Sequence, residues 1–234
     1  MDSREGLNLA RYVSFRFDDG FMAGARTAVS CLAPDCGTFF LVADLVTEGS
    51  SWHPEPLFRG RSFGSLAEWK DLADAGQDIQ LHGRTHRNMK LLPLEEQRSE
   101  VAASLALTQQ IHAGPYVFCH PFNRRVDLDY AALGISAAGF ETRTSEHPIA
   151  FHRLANSINR FDLCSWAVRE RHFSKIMDQL AMLPDDSWAV LAFHSFDDEG
   201  HEPWSASSFR ALVSECRNMG LKISPVSEMV RTIA

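Results

Sequence analysis

The stretch YVSFRFDDG, residues 12–20, is an apolar run that ends in two adjacent carboxylates. An ionised carboxylate is costly to bury unless it is paired with a cation or bound to a metal ion. Packing alone therefore does not account for Asp18 and Asp19. We expect at least one of them to have a chemical partner.

Bulk composition bounds the fold and the partners. With 234 residues, 45% of them hydrophobic, the chain can bury a full core, and we expect a single domain over residues 1–234. The net charge is −7, and no Lys/Arg-rich stretch is present, so nucleic acid is excluded as an expected partner. No stretch approaches the roughly 18 apolar residues that a transmembrane helix needs.

The N-terminus and the cysteines indicate a compartment. Residues 1–10 contain no apolar segment of the kind found in secretory signals. The five cysteines are odd in number and scattered, which favours reduced thiols over a disulfide framework. We therefore expect a cytoplasmic protein.

Short apolar runs alternate with longer amphipathic ones, as in α/β proteins. The predicted strands are residues 12–17, 37–42, 78–81, 116–119, 137–140, 149–154, 188–193 and 221–224. One helix is predicted to start at Ser65, which forms a capping box with Glu68, and others span about residues 93–113, 171–183 and 205–219. Because parallel strands need crossover helices, eight such strands favour a barrel of parallel strands.

Residues 48–64 (EGSSWHPEPLFRGRSFG) are rich in chain breakers and indicate an inserted loop. This loop is interpreted either as a rim of the functional site or as an ordinary surface connection.

Five polar residues each follow a predicted strand: Asp18, Asp19, His82, His120 and His194. Active sites of parallel barrels lie at the carboxyl ends of the strands. We therefore expect these side chains to converge on one rim of the barrel.

His82 and His86 are four residues apart, so on one helical turn both rings would face the same way and reach a single ion. Two histidines and one carboxylate leave coordination positions open, which is typical of catalytic rather than structural metal sites. The pattern predicts a metal-dependent hydrolase.

Four motifs, in this order, resemble the polysaccharide deacetylase family, also called NodB-type or carbohydrate esterase family 4. They are FDDG at residues 17–20, HGRTH at 82–86, CHPFN at 119–123 and LAFH at 191–194. The match extends from about residue 12 to residue 230. It implies a distorted (β/α) barrel of about seven to eight parallel strands.

The resemblance implies a function and a metal centre. Asp19, His82 and His86 would hold a divalent ion, most commonly Zn²⁺, with Co²⁺, Ni²⁺, Fe²⁺ and Mn²⁺ as alternatives. Asp18 would be the general base. The implied reaction removes an N-acetyl group from an amino sugar or saccharide and releases acetate.

Further roles follow from the same resemblance. His194 would be the general acid that protonates the leaving amine, which suits a group whose reference pKa is near 6.5. Leu191 would shape an apolar slot for the acetyl methyl group, although core packing explains a leucine equally well. Phe122 would donate its backbone N–H to the oxyanion.

The sequence departs from the family pattern at two positions. Gly83 stands where many members have Ser or Thr, and Cys119 stands where many have an arginine that orients the catalytic aspartate. Arg160 is our candidate replacement for that arginine, with Arg153 and Arg124 as rivals.

Aromatic residues offer candidate substrate contacts. Trp52 and Trp204 lie in predicted loops and could stack on a sugar, whereas the periodicity around Trp69 and Trp188 indicates core positions. His120 is interpreted either as a substrate contact or as a packed ring beside the site.

Three functions remain open. The first is the deacetylase, acting inside the cell on a soluble or carrier-linked saccharide. The second is an amidase acting on a small non-sugar, cyclic amide. The third is a non-catalytic saccharide-binding protein, against which the intact set of acidic and histidine residues argues.

Overall fold

The computed structural model describes residues 10–233. The segment 1–10, for which no secretory signal is predicted, lies outside the described residues except for Ala10. The elements in chain order are β1 (Arg11–Phe17), α1 (Met22–Leu32), β2 (Thr38–Leu41), α2 (Ala43–Glu48), α3 (Leu66–Asp74), β3 (Asp78–Leu81), α4 (Leu94–Thr108), β4 (Val117–Cys119), β5 (Ala137–Thr144), β6 (His152–Arg153), β7 (Leu163–Ala167), α5 (Phe173–Ala181), β8 (Ser187–Phe193), α6 (Ala206–Asn218), β9 (Lys222–Ile223) and α7 (Val226–Thr232).

Seven parallel strands form a closed barrel. Their order is β1-β2-β3-β4-β5-β7-β8, and β8 pairs with β1 in parallel over the whole of β1 to close the ring. Strands β2, β3 and β8 are buried along their full length, as expected for strands covered on both faces. The predicted barrel of about seven to eight parallel strands is confirmed.

The two remaining strands explain the distortion of this barrel. β9 pairs with Tyr12 and Val13 at the start of β1, whereas β2 pairs only with its end. Likewise β6 runs antiparallel to the start of β8, and β7 pairs only with the end of β8. The ring is therefore complete at its carboxyl end, and short extra strands take the free edges at the other end.

The strand prediction was wrong in two respects. The predicted strands 149–154 and 221–224 are the short β6 and β9, which lie outside the closed ring. A strand of the ring, β7, was not predicted. Its sequence LCSWA is a short run interrupted by a serine, and two of its residues are partly exposed.

The two faces of β1 have different environments. Val13, Phe15 and Phe17 pack against the main core, which includes residues of α1 and α6. The alternate residues Ser14 and Arg16 are also fully buried but take no part in that cluster. Because side chains alternate along a strand, Asp18 continues the face of Ser14 and Arg16.

The helices agree with the prediction where a strong signal existed. Ser65 and Glu68 form the predicted capping box at the start of α3, and α4, α5 and α6 lie within the predicted ranges. The helices α1, α2 and α7 were not predicted. Within residues 10–233, no helix combines the length and apolar character required to cross a membrane.

Candidate metal centre and active site

The polar residues that follow the strands meet at one cavity of about 560 Å³ at the carboxyl end of the barrel. The cavity is lined, among others, by Asp18, Asp19, His82, His120 and His194. These are the five residues that were predicted to converge.

Asp19, His82 and His86 form a cluster that could hold a metal ion. Asp19 Oδ1 lies 3.5 Å from His82 Nε2 and 3.2 Å from His86 Nε2. A tetrahedral zinc site with bonds of 2.0–2.2 Å has its ligand atoms about 3.4 Å apart. Asp19 Oδ1 is buried and, among the described residues, has no hydrogen bond of good geometry. The donor set and its spacing therefore fit a divalent ion such as Zn²⁺.

Both histidines of the cluster are oriented through their second ring nitrogen. His82 Nδ1 lies 2.9 Å from the carbonyl oxygen of Cys119, and His86 Nδ1 lies 3.3 Å from Glu55 Oε1. Such contacts to a carbonyl or carboxylate fix the tautomer of a metal-binding histidine and leave Nε2 free for the ion.

The charges in the cluster are strongly coupled. Burial would raise the pKa of Asp19, but His86 and His82 hold it well below its usual range. Burial would lower the pKa of His86, but Asp19 and Glu55 raise it to about 9. Asp19 is thus kept in the ionised form that binds cations, and an ion would displace the proton of His86 on binding.

The segment that carries His82 and His86 is not the predicted helical turn. It is an irregular loop between β3 and α4, in which His86 has a φ of 57° and Gly83 a φ of 83°. The two rings nevertheless converge, with centroids 5.3 Å apart. The predicted pairing of the histidines does not depend on helical geometry.

Glu100 of α4 holds this loop from behind. Its buried carboxylate accepts hydrogen bonds from the backbone N–H groups of Arg84 and Thr85, at 2.8 Å each, and from Thr85 Oγ1 at 2.6 Å. A Cβ at Gly83 would lie 3.3 Å from Glu100 Oε2. The loop therefore has an internal brace although it lacks a hydroxyl at position 83.

Asp18 is paired with an arginine from its own strand. Arg16 Nη2 lies 3.1 Å from Asp18 Oδ2, and both side chains are buried. The guanidinium also donates to Cys119 Sγ, Asn123 Oδ1 and Thr142 Oγ1 at 2.7, 3.1 and 3.3 Å. These contacts fix the guanidinium, and with it the carboxylate of Asp18.

Arg160 does not orient Asp18, so this prediction was wrong. Arg160 is exposed and lies over the ring of Phe161, with 5.3 Å between guanidinium carbon and ring centroid. Its rival Arg153 bonds to the carbonyl of Asp185. Arg160 precedes β7, a strand that was not predicted, and is not on the strand that carries Asp18.

His194 lies directly after β8 and lines the cavity near Asp18 and Asp19. Burial lowers its pKa, and the attraction of the two aspartates offsets only part of this effect. The ring of His201 stands perpendicular to that of His194, with centroids 5.4 Å apart. The ring of His194 is therefore placed to exchange a proton with a group in the cavity.

Phe122 and His120 follow β4. Phe122 has a φ of 58°, and its ring, 47% exposed, lies at the cavity beside His86 with centroids 4.7 Å apart. The turn that contains it is closed by the N–H groups of Asn123 and Arg124. The oxyanion role of Phe122 stays a prediction.

His120 is a packed ring rather than an exposed contact. Its Nδ1–H donates to the carbonyl of Gly139 at 3.2 Å, and its Nε2 accepts from the hydroxyl of Tyr130. Burial lowers its pKa to about 4. Although His120 borders the cavity, both ring nitrogens are used within the protein.

Three candidate substrate contacts do not line the cavity. Leu191 is fully buried in the main core and does not line the cavity, which favours its packing role. Trp204 is 1% exposed and donates to the carbonyl of Val168, so it is not a sugar-stacking face. Trp52 is 39% exposed and contacts His53, beside the cavity wall rather than in it.

The inserted loop, residues 48–64, forms one wall of the cavity through Glu55, Leu57 and Phe58. Phe58 anchors the loop by packing against Phe21 and Phe63, with ring centroids 5.6 and 5.7 Å away. The loop therefore lies at the rim of the cavity, the position given by the first of its two interpretations.

Solved structures resemble this one over most of its length. BA3943 of Bacillus anthracis, a CE4 family pseudoenzyme, in a mutant form with restored enzymatic activity, matches with a TM-score of 0.62 and 16% identity over 94% of this chain and 68% of that one. The peptidoglycan deacetylase PdaC from Bacillus subtilis matches with a TM-score of 0.62 and 13% identity over 95% and 91%. The family 4 carbohydrate esterase from Streptomyces lividans, in complex with acetate, matches with a TM-score of 0.59 and 15% identity over 91% and 91%.

The chain has the fold of the family 4 carbohydrate esterases. No protein-family model and no curated protein matches its sequence. At these identities the family 4 esterase fold is shared, and the chemistry of this chain has to be argued from its own residues.

Four residues that shape the site in this esterase fold were not predicted from the sequence: Arg16, Glu55, Glu100 and His201. The alternation of β1 contained a signal for Arg16, since a charged residue two positions before Asp18 shares its face. Glu55 contacts His86 from the inserted loop, and Glu100 holds the loop of His82 and His86 from a helix. Both are distant in sequence from their partners, and no local pattern indicates such contacts.

Proposed function

We propose that the protein is a metal-dependent hydrolase that removes an N-acetyl group from an amino sugar or saccharide and releases acetate. The observation that carries this proposal is the divergence of two adjacent carboxylates. Asp19 faces His82 and His86, whereas Asp18 faces Arg16 and the cavity. One carboxylate is thus available to an ion and the other to a reacting proton.

The chain's own residues have distinct tasks in this reaction. A bound divalent ion would polarise the amide carbonyl and acidify a water molecule. Asp18 accepts the proton of the attacking water, and Arg16 fixes the orientation of its carboxylate. His194, in its protonated form, donates a proton to the leaving amine, and the N–H of Phe122 stabilises the oxyanion.

Two considerations support a saccharide as substrate. The described neighbours include a peptidoglycan deacetylase and a carbohydrate esterase. The cavity also presents hydrogen-bonding side chains, among them Asn123, Thr142, Arg169 and Glu202, which suit sugar hydroxyl groups.

The two alternatives lose support. An arginine missing at position 119 would leave the cyclic-amide amidase open, but Arg16 supplies a guanidinium beside Cys119 and Asp18. Pseudoenzymes with this fold exist, yet Asp18, Asp19, His82, His86 and His194 all line one cavity in this chain.

The test is an acetate-release screen with the zinc-loaded protein. Substrates would be N-acetylated monosaccharides, chito-oligosaccharides and lipid-linked sugars, with cyclic amides alongside. We expect acetate from at least one sugar class. In Asp18→Asn the rate of acetate release should fall 100-fold or more, since general bases contribute at least that much. The matched control is Asp198→Asn, whose side chain is 85% exposed. Turnover of cyclic amides alone, or an Asp18→Asn variant within a few fold of wild type, would refute the proposal.

A further inference from the structure

A shallow apolar groove adjoins the catalytic cavity. We call it the side groove, and its apolar walls are Pro54, Leu91, Leu92 and Phe122. Its volume is about 280 Å³, and the surface that it exposes is almost entirely carbon. Leu91 is 80% exposed and Phe122 47%. Large apolar side chains exposed side by side at a groove commonly mark a binding site.

The side groove is continuous with the catalytic cavity. Glu55, His86, Asn88 and Phe122 line both. His86 belongs to the metal cluster, so the groove starts beside the ion-binding atoms. A substrate held at the metal cluster can therefore extend into the groove past Phe122.

The cavity and the side groove together have one polar end and one apolar end. His201, Glu202 and Arg169 surround the end at His194, where Arg169 is ion-paired with Glu202. Phe122, together with Glu55, His86 and Asn88, joins the cavity to the side groove, whose exposed surface is almost entirely carbon. A ligand that spans both is thus matched by hydrogen-bonding groups at one end and by carbon at the other.

This polarity orients the amide that is to be cleaved. The proposed function, on which this step rests, has His194 protonate the amine, so the amine and its sugar lie at the polar end. The acyl group then points away from His194, toward Phe122 and the side groove.

We infer that the side groove binds the acyl chain of the substrate, and that the protein hydrolyses N-acyl amino sugars whose acyl chain is longer than acetyl. Water is added across the amide bond in the ordinary way. Its hydroxyl group joins the acyl carbon to give a carboxylic acid, the C–N bond breaks, and the amine takes up a proton. The groove changes the preferred acyl group and not the chemistry.

The test is a series of N-acyl glucosamines with acetyl, butanoyl, hexanoyl and octanoyl chains, measured as kcat/KM for release of the acid. A fully buried methylene is worth about fourfold, and octanoyl has six more methylenes than acetyl, so we expect a rise of ~100-fold from acetyl to octanoyl when the groove buries about half of the added chain. Leu91→Ser should reduce the octanoyl-to-acetyl ratio about tenfold. Met182→Ser is the matched control, because Met182 is 78% exposed and does not line the groove. The inference would be overturned if kcat/KM stayed constant or fell as the acyl chain lengthens. It would also be overturned if Leu91→Ser and Met182→Ser reduced the octanoyl-to-acetyl ratio equally.

Two further arms separate the sources of a gain. The octyl glycoside of N-acetylglucosamine carries an alkyl chain at the other end of the sugar, and the methyl glycoside is its short-chain reference. If kcat/KM rose only for the octyl glycoside and not along the N-acyl series, the inference would be overturned. Calorimetric Kd values of octanoyl- and acetyl-glucosamine for Asp18→Asn report on the groove without turnover. If no acid is released from any compound, the proposed function fails, while a Kd ratio sensitive to Leu91→Ser still supports the groove and an insensitive ratio overturns it.

Discussion

The buried ion pair between Arg16 and Asp18 places a fixed positive charge behind the carboxylate that we propose as the general base. Arg16 is itself held at several points, by Cys119 Sγ, Asn123 Oδ1 and Thr142 Oγ1. Its guanidinium also lies 5.0 Å from the ring centroid of Phe140, within cation–π range. Such multiple anchoring leaves the carboxylate one preferred orientation, which a general base needs.

Replacing Arg16 tests this role at the scale of a single residue. Arg16→Gln should lower kcat about 100-fold, because a misplaced catalytic group can cost that much, with KM changed little. It should also lower the unfolding free energy by about 3 kcal/mol or more, since it leaves a buried carboxylate without its cation. Steady-state kinetics and thermal unfolding check both effects.

Arg16→Lys and Arg160→Gln sharpen the test. Lysine keeps the positive charge but lacks the planar guanidinium. We therefore expect Arg16→Lys to recover part of the unfolding free energy that Arg16→Gln loses, and a smaller part of the lost kcat. Arg160 is exposed, and Arg160→Gln should behave as wild type. If the two glutamine variants lost activity equally, Arg16 would not be the specific partner of Asp18.

The low pKa of His120 in the folded protein should make the free energy of unfolding depend on pH. Its folded pKa of about 4 lies below the unfolded value of about 6.5, so the unfolded chain binds the extra proton first as the pH falls. The contribution of His120 to the free energy of unfolding is therefore complete above pH 6.5. About 3 kcal/mol of it is lost as the pH falls from 6.5 to 4. Urea unfolding of the metal-free protein from pH 7 to 4.5 measures this.

His120→Gln should remove most of this slope, whereas His147→Gln, at an exposed position, should keep it. The difference between the variants isolates His120 from the other groups that titrate in this range. Equal slopes in His120→Gln and wild type would show that His120 does not control acid stability.

At the scale of elements, α4 and the loop after β3 act together on the metal cluster. Glu100 accepts from Arg84, Thr85 and Arg87, and thereby ties the loop to a buried position on the helix. A loop that carries two ligands in an irregular conformation would otherwise sample many geometries. The brace reduces the entropy lost when an ion binds.

Glu100→Gln should therefore weaken metal binding 10- to 100-fold, because the amide keeps one accepting oxygen while its NH2 group replaces the other oxygen and faces donors that it cannot accept from. Competition with a chromogenic chelator measures the zinc Kd without any assay of activity. Glu96→Gln is the matched control, since Glu96 is on the same helix, bonds to Arg87 and is 48% exposed. A zinc Kd unchanged in Glu100→Gln would contradict the brace.

Strand β1 is an element that could be predicted from the sequence. Its apolar residues Val13, Phe15 and Phe17 identify the strand, and the two aspartates identify its carboxyl end. The same alternation places Arg16 on the face of Asp18. The period-2 pattern thus contained the arginine that a motif comparison sought at position 119 and that we assigned to Arg160.

Strand β7, in contrast, could not be predicted from its own sequence pattern. Cys164 and Ala167 are partly exposed, and Gly139 and Glu141 of β5 pair with Leu163 and Cys164 across an irregularity in register. The strand exists because β5 and β8 leave a gap that it fills. Pairing of that kind is determined by the closed ring, in which every strand has a neighbour on both sides, and not by the local sequence.

At the scale of the whole molecule, barrel closure brings the site together. Asp18 and Asp19 follow the first strand of the ring and His194 the last, and the pairing of β1 with β8 makes them neighbours. His82 and His86 come from β3, and Glu55 from the inserted loop. An ion held by such distant segments links them, so metal binding should stabilise the entire fold.

Metal removal tests this linkage. An ion that binds only the folded chain, present at 100 times its Kd, adds about 2.7 kcal/mol to the unfolding free energy. For a protein of this size that corresponds to a rise in Tm of ~5–10 °C between chelator-treated and zinc-loaded samples. His86→Ala should abolish the rise, because it removes one of three ligands, whereas His147→Ala should retain it, since His147 is exposed and outside the cluster. A rise of equal size in both variants would mean that zinc stabilises the protein elsewhere, and the assignment of Asp19, His82 and His86 as its ligands would have to be abandoned.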